Sequence, residues 1–398
     1  MVLPVIPDLP DKMSEFWDDV ESMTSIWKAL APWFKDRGYI LYPRESLCAV
    51  PSSGLSAYQL SGNPVKFPYA YASETRLASR VMRMARPCIF PAVDKNRRDV
   101  IVKFLFNDAE NTHEVSILKH LISESLRSDP LNKVIPVFDV LTYDDRYSFV
   151  VMPRWGSAYS LHYCGFDCLG TAFNFASCLL KALAFLHKNL IAHRDIRLDN
   201  VLVNVYGKDQ LMFDYRPFLS SRQADFVLCD FGVSIMFPPD TPQAERMRPV
   251  SESELGSYQY HPPDAANGQA MYDPFAYDVA CLGGLFCEVI GHMTTLVPSL
   301  APFLDRMITS DIASRYTASE ALEAFTQLYE DLAPHYLGTP APPPPLYGTV
   351  LWQGQDRWAG LPEDFVSEHT SHYAPAKPKY KAINLDGTSC FLDIDTPN

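Results

Sequence analysis

The sequence predicts an α+β chain in two lobes, a small strand-rich one followed by a larger helical one. Three observations point there. Residues 88–152 alternate β-rich runs with one helical pattern, residues 169–336 carry helix-period apolar faces, and from Leu337 the composition turns to proline. In the first region, residues 88–93 and 99–106 read as two strands joined by the polar turn Lys95-Asn96-Arg97-Arg98. Val115, Leu118, Leu121 and Ile122 recur at helical spacing and predict a helix over residues 112–127. Residues 134–141 and 147–152 are apolar and β-rich. In the second region, Phe175, Leu179, Leu183 and Leu186 form one helical face. Val279, Leu282, Phe286 and Val289 form another in a segment apolar on most sides, which predicts a buried central helix.

These patterns divide the chain into residues 1–75, 76–152, 153–336 and 337–398. The first stretch holds Phe16, Trp17, Trp27, Trp33, Phe34 and Tyr39 and looks partly helical. Side chains this large pack on something, so it is expected to dock on the small lobe. In the last stretch, Pro340 and Pro342 to Pro345 favour an extended linker, with a ligand for proline-reading domains at 340–345 as the second reading. A hairpin is expected around Asp386-Gly387.

Composition narrows the function classes. The net charge is −13 with no long basic run, which speaks against a nucleic-acid partner. Lys377, Lys379 and Lys381 read as a solvated tail. The nine cysteines are scattered and no secretory pattern precedes them, so reduced thiols and a cytoplasmic or nuclear location are expected. Cys164 and Cys168 lack a second pair at zinc-site spacing. The longest apolar run, residues 279–287, is too short to span a bilayer, so no membrane partner is expected.

Two loops carry chemistry. His193-Arg194-Asp195 is followed by Asn200 in the pattern H-R-D-x-x-x-x-N, and Asp230-Phe231-Gly232 comes later. Phosphoryl transfer needs an oriented hydroxyl, screened phosphate charge and metal ions on phosphate oxygens, with little covalent help. A carboxylate on one loop can accept the hydroxyl proton. An amide oxygen on that loop and a carboxylate on the other can hold magnesium, which prefers hard oxygen ligands. A polar turn with an ion pair is the plain alternative, and the agreement of several motifs disfavours it.

On these residues the chain resembles the eukaryotic protein kinase family. The resemblance implies a bilobal protein kinase-like fold, ATP and Mg2+ as cofactors, and transfer to a protein substrate. It gives Asp195 the role of base, Asn200 and Asp230 those of metal ligands, and Arg197 that of the cation near the γ-phosphate, where lysine is usual. Val100-Ile101-Val102-Lys103 resembles V-A-I-K, which sets Lys103 on the α- and β-phosphates with Glu114 as its partner and Glu110 as the fallback. Residues 150–155 resemble the hinge, with Met152 guarding the adenine pocket and Trp155 lending backbone groups to adenine. Residues 256–264 resemble G-T-x-x-Y-x-A-P-E. Ser257 stands for the threonine, which favours serine/threonine specificity, and Asp264 stands for the glutamate. Residues 311–318 resemble D-P-x-x-R-P-T-A, which makes Arg315 the buried partner of Asp264. An aspartate matching Asp278 holds the catalytic loop in the family, although a plain helix cap fits that position almost as well. Arg194 precedes Asp195, so a negative group in the activation segment could order it; Ser251 and Ser253 are candidate phosphosites, and the flanking Glu252 and Glu254 could partly mimic a phosphate. The layout over about residues 14–335 resembles fungal kinase-domain proteins, with their leaders, an insertion at 206–226 and the segment Asp129-Pro130-Leu131-Asn132.

One departure stands out. No glycine occurs between Gly62 and Gly156, so the family's glycine-rich phosphate loop is absent. Arg83 or Arg86 could replace its amide dipoles with full charge, or both could simply face solvent. The missing glycines motivate a second reading, a pseudokinase scaffold that binds nucleotide or partners. A small-molecule phosphotransferase of related fold ranks third. Cys229, beside Asp230, reads as inert packing.

Overall fold

A computed structural model describes residues 20–45, 48–50, 68–72, 82–83, 87–107, 112–206, 224–256, 259–266, 269–345, 352–369, 380–383 and 389–392. The first lobe is an antiparallel sheet of five strands: β1 (Ile40–Leu41), β2 (Ile89–Val93), β3 (Asp99–Phe106), β4 (Asp139–Thr142) and β5 (Tyr147–Pro153). Their order across the sheet is β1-β2-β3-β5-β4. The two-residue period of β3 sorts its side chains. Val100, Val102, Phe104 and Phe106 enter the core on one face, which leaves Ile101, Lys103 and Leu105 on the other.

The first of those faces is covered by helix α1 (Val20–Lys35). Ile26, Trp27, Leu30, Trp33 and Phe34 recur at helical spacing and are all buried against the sheet. Trp27 packs on Phe90 at 5.0 Å and Phe34 on Phe149 at 4.9 Å, and the Trp27 indole donates to Pro87 O at 2.9 Å. Phe16 and Trp17 lie outside the described residues. The second face of the sheet carries α2 (Thr112–Leu121).

A short part of the leader, residues 68–72, ties the two lobes behind the hinge. Tyr71–Ala72 pairs in parallel with Val205–Tyr206 of the helical lobe. Tyr69 packs on Phe138 with the rings tilted and lies under the Arg98 guanidinium at 3.9 Å, both in the small lobe. Beside this strap, the Asp99 carboxylate of β3 accepts hydrogen bonds from Tyr42 of the leader and Tyr206 of the second lobe.

The second lobe is built on α3 (Leu169–Lys188) and α4 (Pro274–Val289), followed by α5 (Leu300–Ile308) and α6 (Ala318–Asp331). Asp273 caps α4 by accepting from the amides of Phe275 and Ala276, and Pro274 starts its first turn. Thr317 and Glu320 cap α6 reciprocally. Helix α3 is long and apolar enough to cross a membrane by length and composition, yet 78% of that window is buried inside the lobe. Its apolar character is therefore that of a core helix.

The proline segment is extended, and it does not hang free as a linker would. Leu169 N donates to Thr339 O at 3.0 Å and Ala341 N to Asp167 O at 3.1 Å, which lays residues 339–341 along the start of α3. Gly165, at φ +62°, lets Pro344 pass so close that a Cβ would meet its ring at 2.7 Å. Near the C-terminus, Tyr380–Ile383 and Ser389–Leu392 pair antiparallel; the intervening Asp386-Gly387 lies outside the described residues.

Candidate active site

The site lies between the Lys103 face of the small sheet and the loops at the top of the helical lobe. Strand register sets its upper wall. Lys103 pairs with Val150 and Ile101 with Met152, so all four side chains face the same way. Helix α2 brings Glu114 to 2.6 Å from Lys103 Nζ, and Asp230 Oδ1 stands 2.8 Å from the same nitrogen. Glu110 lies outside the described residues.

Electrostatics follow from this arrangement. Burial alone would lower the Lys103 ammonium, but the carboxylates of Asp230 and Glu114 outweigh it and hold the pKa above the ordinary lysine value. Lys103 in turn pulls Asp230 down to about 2 against the effect of burial. Burial pushes Glu114 up, and Lys103 pulls it back. The site thus keeps a fixed cation beside an ionised carboxylate. Asp230 also sits at φ +69°, a left-handed backbone that costs a non-glycine residue energy and persists only where its surroundings impose it.

The catalytic loop is held from below by Asp278, fully buried in α4. Its Oδ2 accepts from His193 N and its Oδ1 from Arg194 N, each at 2.7 Å. Asp273 is the cap of this helix, so Asp278 acts on the loop. The two bonds fix Arg194 at φ +66°. His193 Nε2 then reaches Cys229 O at 3.1 Å and joins the two loops.

Asn200 Nδ2 donates to Asp195 Oδ2 at 2.7 Å and to Asp195 O at 2.9 Å. Both bonds use the amide nitrogen, so it is the amide oxygen that a metal ion would meet. Asp195 Oδ1 is buried and has no hydrogen-bond partner among the described residues. An unpartnered buried carboxylate oxygen is costly, and here it is the atom an acceptor hydroxyl would meet. Burial raises the Asp195 carboxyl above the ordinary aspartate range, while His193, Asn200 and Arg197 oppose that rise. A base must be ionised to act, so kcat/KM is expected to fall as pH drops through a value above roughly 3.9, the unperturbed aspartate pKa. A pH profile with its acid limb at or below that value contradicts this.

Among the described residues, no group of three or more His, Cys, Asp or Glu side chains could hold a metal by itself. The donors fit Mg2+ brought with phosphates: Asp230 and Asn200 would supply two hard oxygens, and the ion would screen phosphate charge. Arg197 is engaged by Asp199 at 2.9 Å on its own turn. At the hinge, the Trp155 indole donates to Pro68 O at 2.8 Å, so its ring anchors the leader strap.

Of the negative groups expected to reach Arg194 from the activation segment, Glu252 is the one that does so. Arg194 Nη1 donates to Glu252 Oε2 at 2.9 Å, Arg248 Nη2 pairs with Glu252 Oε1 at 2.6 Å, and the Arg194 Nε donates to Val233 O. Glu252 thus supplies both guanidinium groups with an anion from the chain itself. Ser253 does not fit the expected phosphosite in this conformation. It is 1% exposed, its hydroxyl donates to Val250 O, and it also bonds the His261 ring. Ser251 is exposed, and Ser257 lies outside the described residues. Removing Glu252 leaves the buried Arg194 guanidinium without an anion. Glu252→Ala is expected to lower transfer by about tenfold or more, whereas phosphatase treatment of the parent leaves the rate unchanged. A parent silenced by phosphatase contradicts this.

Asp264 accepts from Arg315 Nη2 at 2.5 Å, so the shorter acid still reaches the guanidinium. For the phosphate loop, the strand Met82–Arg83 pairs with Cys48–Ala49 of the leader. The Arg83 side chain and Arg86 lie outside the described residues.

A family model, the protein kinase domain, matches residues 88–297, more than half of the chain. No curated protein matches it. The matched region holds the Lys103–Glu114 pair, both loops and Asp278, and the chain belongs to the protein kinase domain family.

Proposed function

We propose that the chain is an active protein kinase that moves the γ-phosphoryl group of ATP to serine or threonine hydroxyls of a protein, with Mg2+ as the metal. The observation that carries this reading is the assembled site. The Lys103–Glu114 pair is closed at 2.6 Å, and Asp195 Oδ1 is buried with no hydrogen-bond partner among the described residues. In the reaction, the acceptor oxygen bonds the γ-phosphorus as the bond to the β,γ-bridging oxygen breaks. The hydroxyl proton passes to Asp195 Oδ1, and ADP leaves. Lys103 holds the α- and β-phosphates, and Glu114 orients Lys103. Met152 guards the adenine pocket, and Trp155 lends backbone groups to the adenine edge.

The serine/threonine preference rests on Ser257, and the likeness to fungal kinase-domain proteins rests on layout; both belong to this proposal, as does a cytoplasmic or nuclear location. Incubation with labelled ATP, Mg2+ and a generic acceptor protein tests it. Label transfer that disappears in Asp195→Asn supports the enzyme. The absence of glycine between Gly62 and Gly156 favours the scaffold reading instead, and nucleotide binding with no transfer by the parent would establish that reading.

A further inference from the structure

The connection between β1 and β2 leaves the small lobe before it returns. The two strands are neighbours, with Leu41 opposite Ala92 and Tyr42 N donating to Pro91 O at 3.0 Å, yet residues 43–88 separate them along the chain. Within this connection, residues 68–72 grip both lobes. The Tyr69 hydroxyl donates to Asp94 Oδ2 at 3.3 Å in the small lobe. Tyr71 N donates to Asn204 O at 2.8 Å in the helical lobe, beside the pairing of Tyr71–Ala72 with Val205–Tyr206. Between these grips, Ala70 packs against Ile135, Trp155 and Val227. Those three come from the α2–β4 connection, the hinge and the helical lobe.

A second tie lies beside the strap. Asp99 opens β3, the strand that carries Lys103, and its side chain is buried. Asp99 Oδ2 accepts from the Tyr206 hydroxyl of the helical lobe at 2.5 Å, and Oδ1 accepts from the Tyr42 hydroxyl. The hinge amide Arg154 N donates to Asp99 O at 3.2 Å, and the Arg154 guanidinium lies over the Tyr206 ring at 4.6 Å. Burial and the Asp99 charge push the Tyr206 phenol well above the ordinary tyrosine value, so it stays protonated and donates. A hydrogen bond to an ionised acceptor is among the stronger ones. Parting the lobes would take this donor from a buried carboxylate and would pull the strap from one lobe or the other. Lys103, on the same strand as Asp99, meets Asp230 of the helical lobe at 2.8 Å, so the separation held at Asp99 bears directly on the site.

We propose that Tyr206 is a positioning residue of the nucleotide site and that, with residues 68–72, it clamps the two lobes closed on that site. Nucleotide then enters and leaves only when the lobes part. A weaker clamp raises both rates together, while the closed arrangement still dominates and the affinity holds. Damage to the contacts with bound nucleotide would instead speed departure alone and weaken the affinity. This role rests on the kinase reading above, and the test separates the two.

The test uses the full chain, the variant Tyr206→Phe (which keeps the ring under Arg154 and loses the hydroxyl), and a fluorescent ADP with Mg2+ in stopped flow. Association and dissociation rates are both expected to rise about tenfold, the scale of one lost hydrogen bond to a charged group, with Kd near the parent's. Hydrogen exchange without nucleotide is expected to be well below the free-chain rate over residues 69–72 of the parent. It should quicken there in Tyr206→Phe and stay at the parent rate over 274–289. Unchanged rates, a rise in one rate without the other, or free-chain exchange over 69–72 in the parent overturns the proposal. If the parent binds no nucleotide, the kinase reading falls. Exchange over 69–72 in the parent and in Tyr206→Phe then still decides whether the clamp exists.

Discussion

Asp195→Asn is expected to lower kcat by about 10²–10⁴-fold, the range for a general base removed from a positioned site. The substitution keeps shape and volume. Its side-chain oxygen can still accept from Asn200 Nδ2, which donates to Asp195 Oδ2 at 2.7 Å in the parent. The loop is held by Asp278 through the amides of His193 and Arg194, neither of which changes. The loss therefore reports on the proton acceptor itself, and nucleotide affinity should remain near the parent's. Single-turnover transfer from labelled ATP, with nucleotide binding measured alongside, checks both. A variant within about threefold of the parent would mean that Asp195 Oδ1 takes no proton.

The largest expected effect on stability is Arg315→Ala, a loss of about 3–5 kcal/mol, as when one partner of a buried ion pair is removed. Arg315 donates to Asp264 at 2.5 Å, to Thr309 O at 2.9 Å and to Ala276 O at 3.0 Å. Alanine leaves a mostly buried carboxylate and two carbonyls without this donor. The three acceptors lie in the activation segment, the α5–α6 connection and α4, so one guanidinium joins three parts of the helical lobe. Arg315→Lys should recover only part of the loss, because an ammonium keeps the charge but not the planar fork. Urea unfolding, read as a shift in midpoint at constant slope, measures both variants. A change under about 1 kcal/mol in the alanine variant would place this pair among those with little net worth.

How much of this was legible in the sequence depends on the kind of contact. The two loops were legible because transfer chemistry needs fixed residue types at short spacing. Lys103 and Glu114 were legible because a strand followed by a helix leaves few ways to face one another. The side-chain period of β3 also fixed which way Lys103 points. The Asp264–Arg315 pair came from two motifs that only make sense together.

What escaped was carried by single polar atoms between distant segments. Nothing in the pattern around Trp352 announces a bond to Gln259 O, and nothing around Pro68 announces a bond from Trp155. Composition marked residues 340–345 as extended but could not say that the start of α3 would receive them. Glu252 was visible as a charge. A negative group facing Arg194 was expected there, but that Glu252 pairs with Arg248 as well needed the fold of the activation segment. The strands that pair Cys48–Ala49 with Met82–Arg83 and Tyr71–Ala72 with Val205–Tyr206 are two residues long, too short to show a period.

Lys103, Asp195, Asn200 and Asp230 are proposed to surround one magnesium–nucleotide site. Calorimetric titration of ADP into the full chain, with Mg2+ and then with EDTA, tests it most directly. Markedly tighter binding with Mg2+ is expected in the parent, and the loss of that difference in Asp230→Asn. Equal affinity with and without Mg2+ in the parent would contradict it.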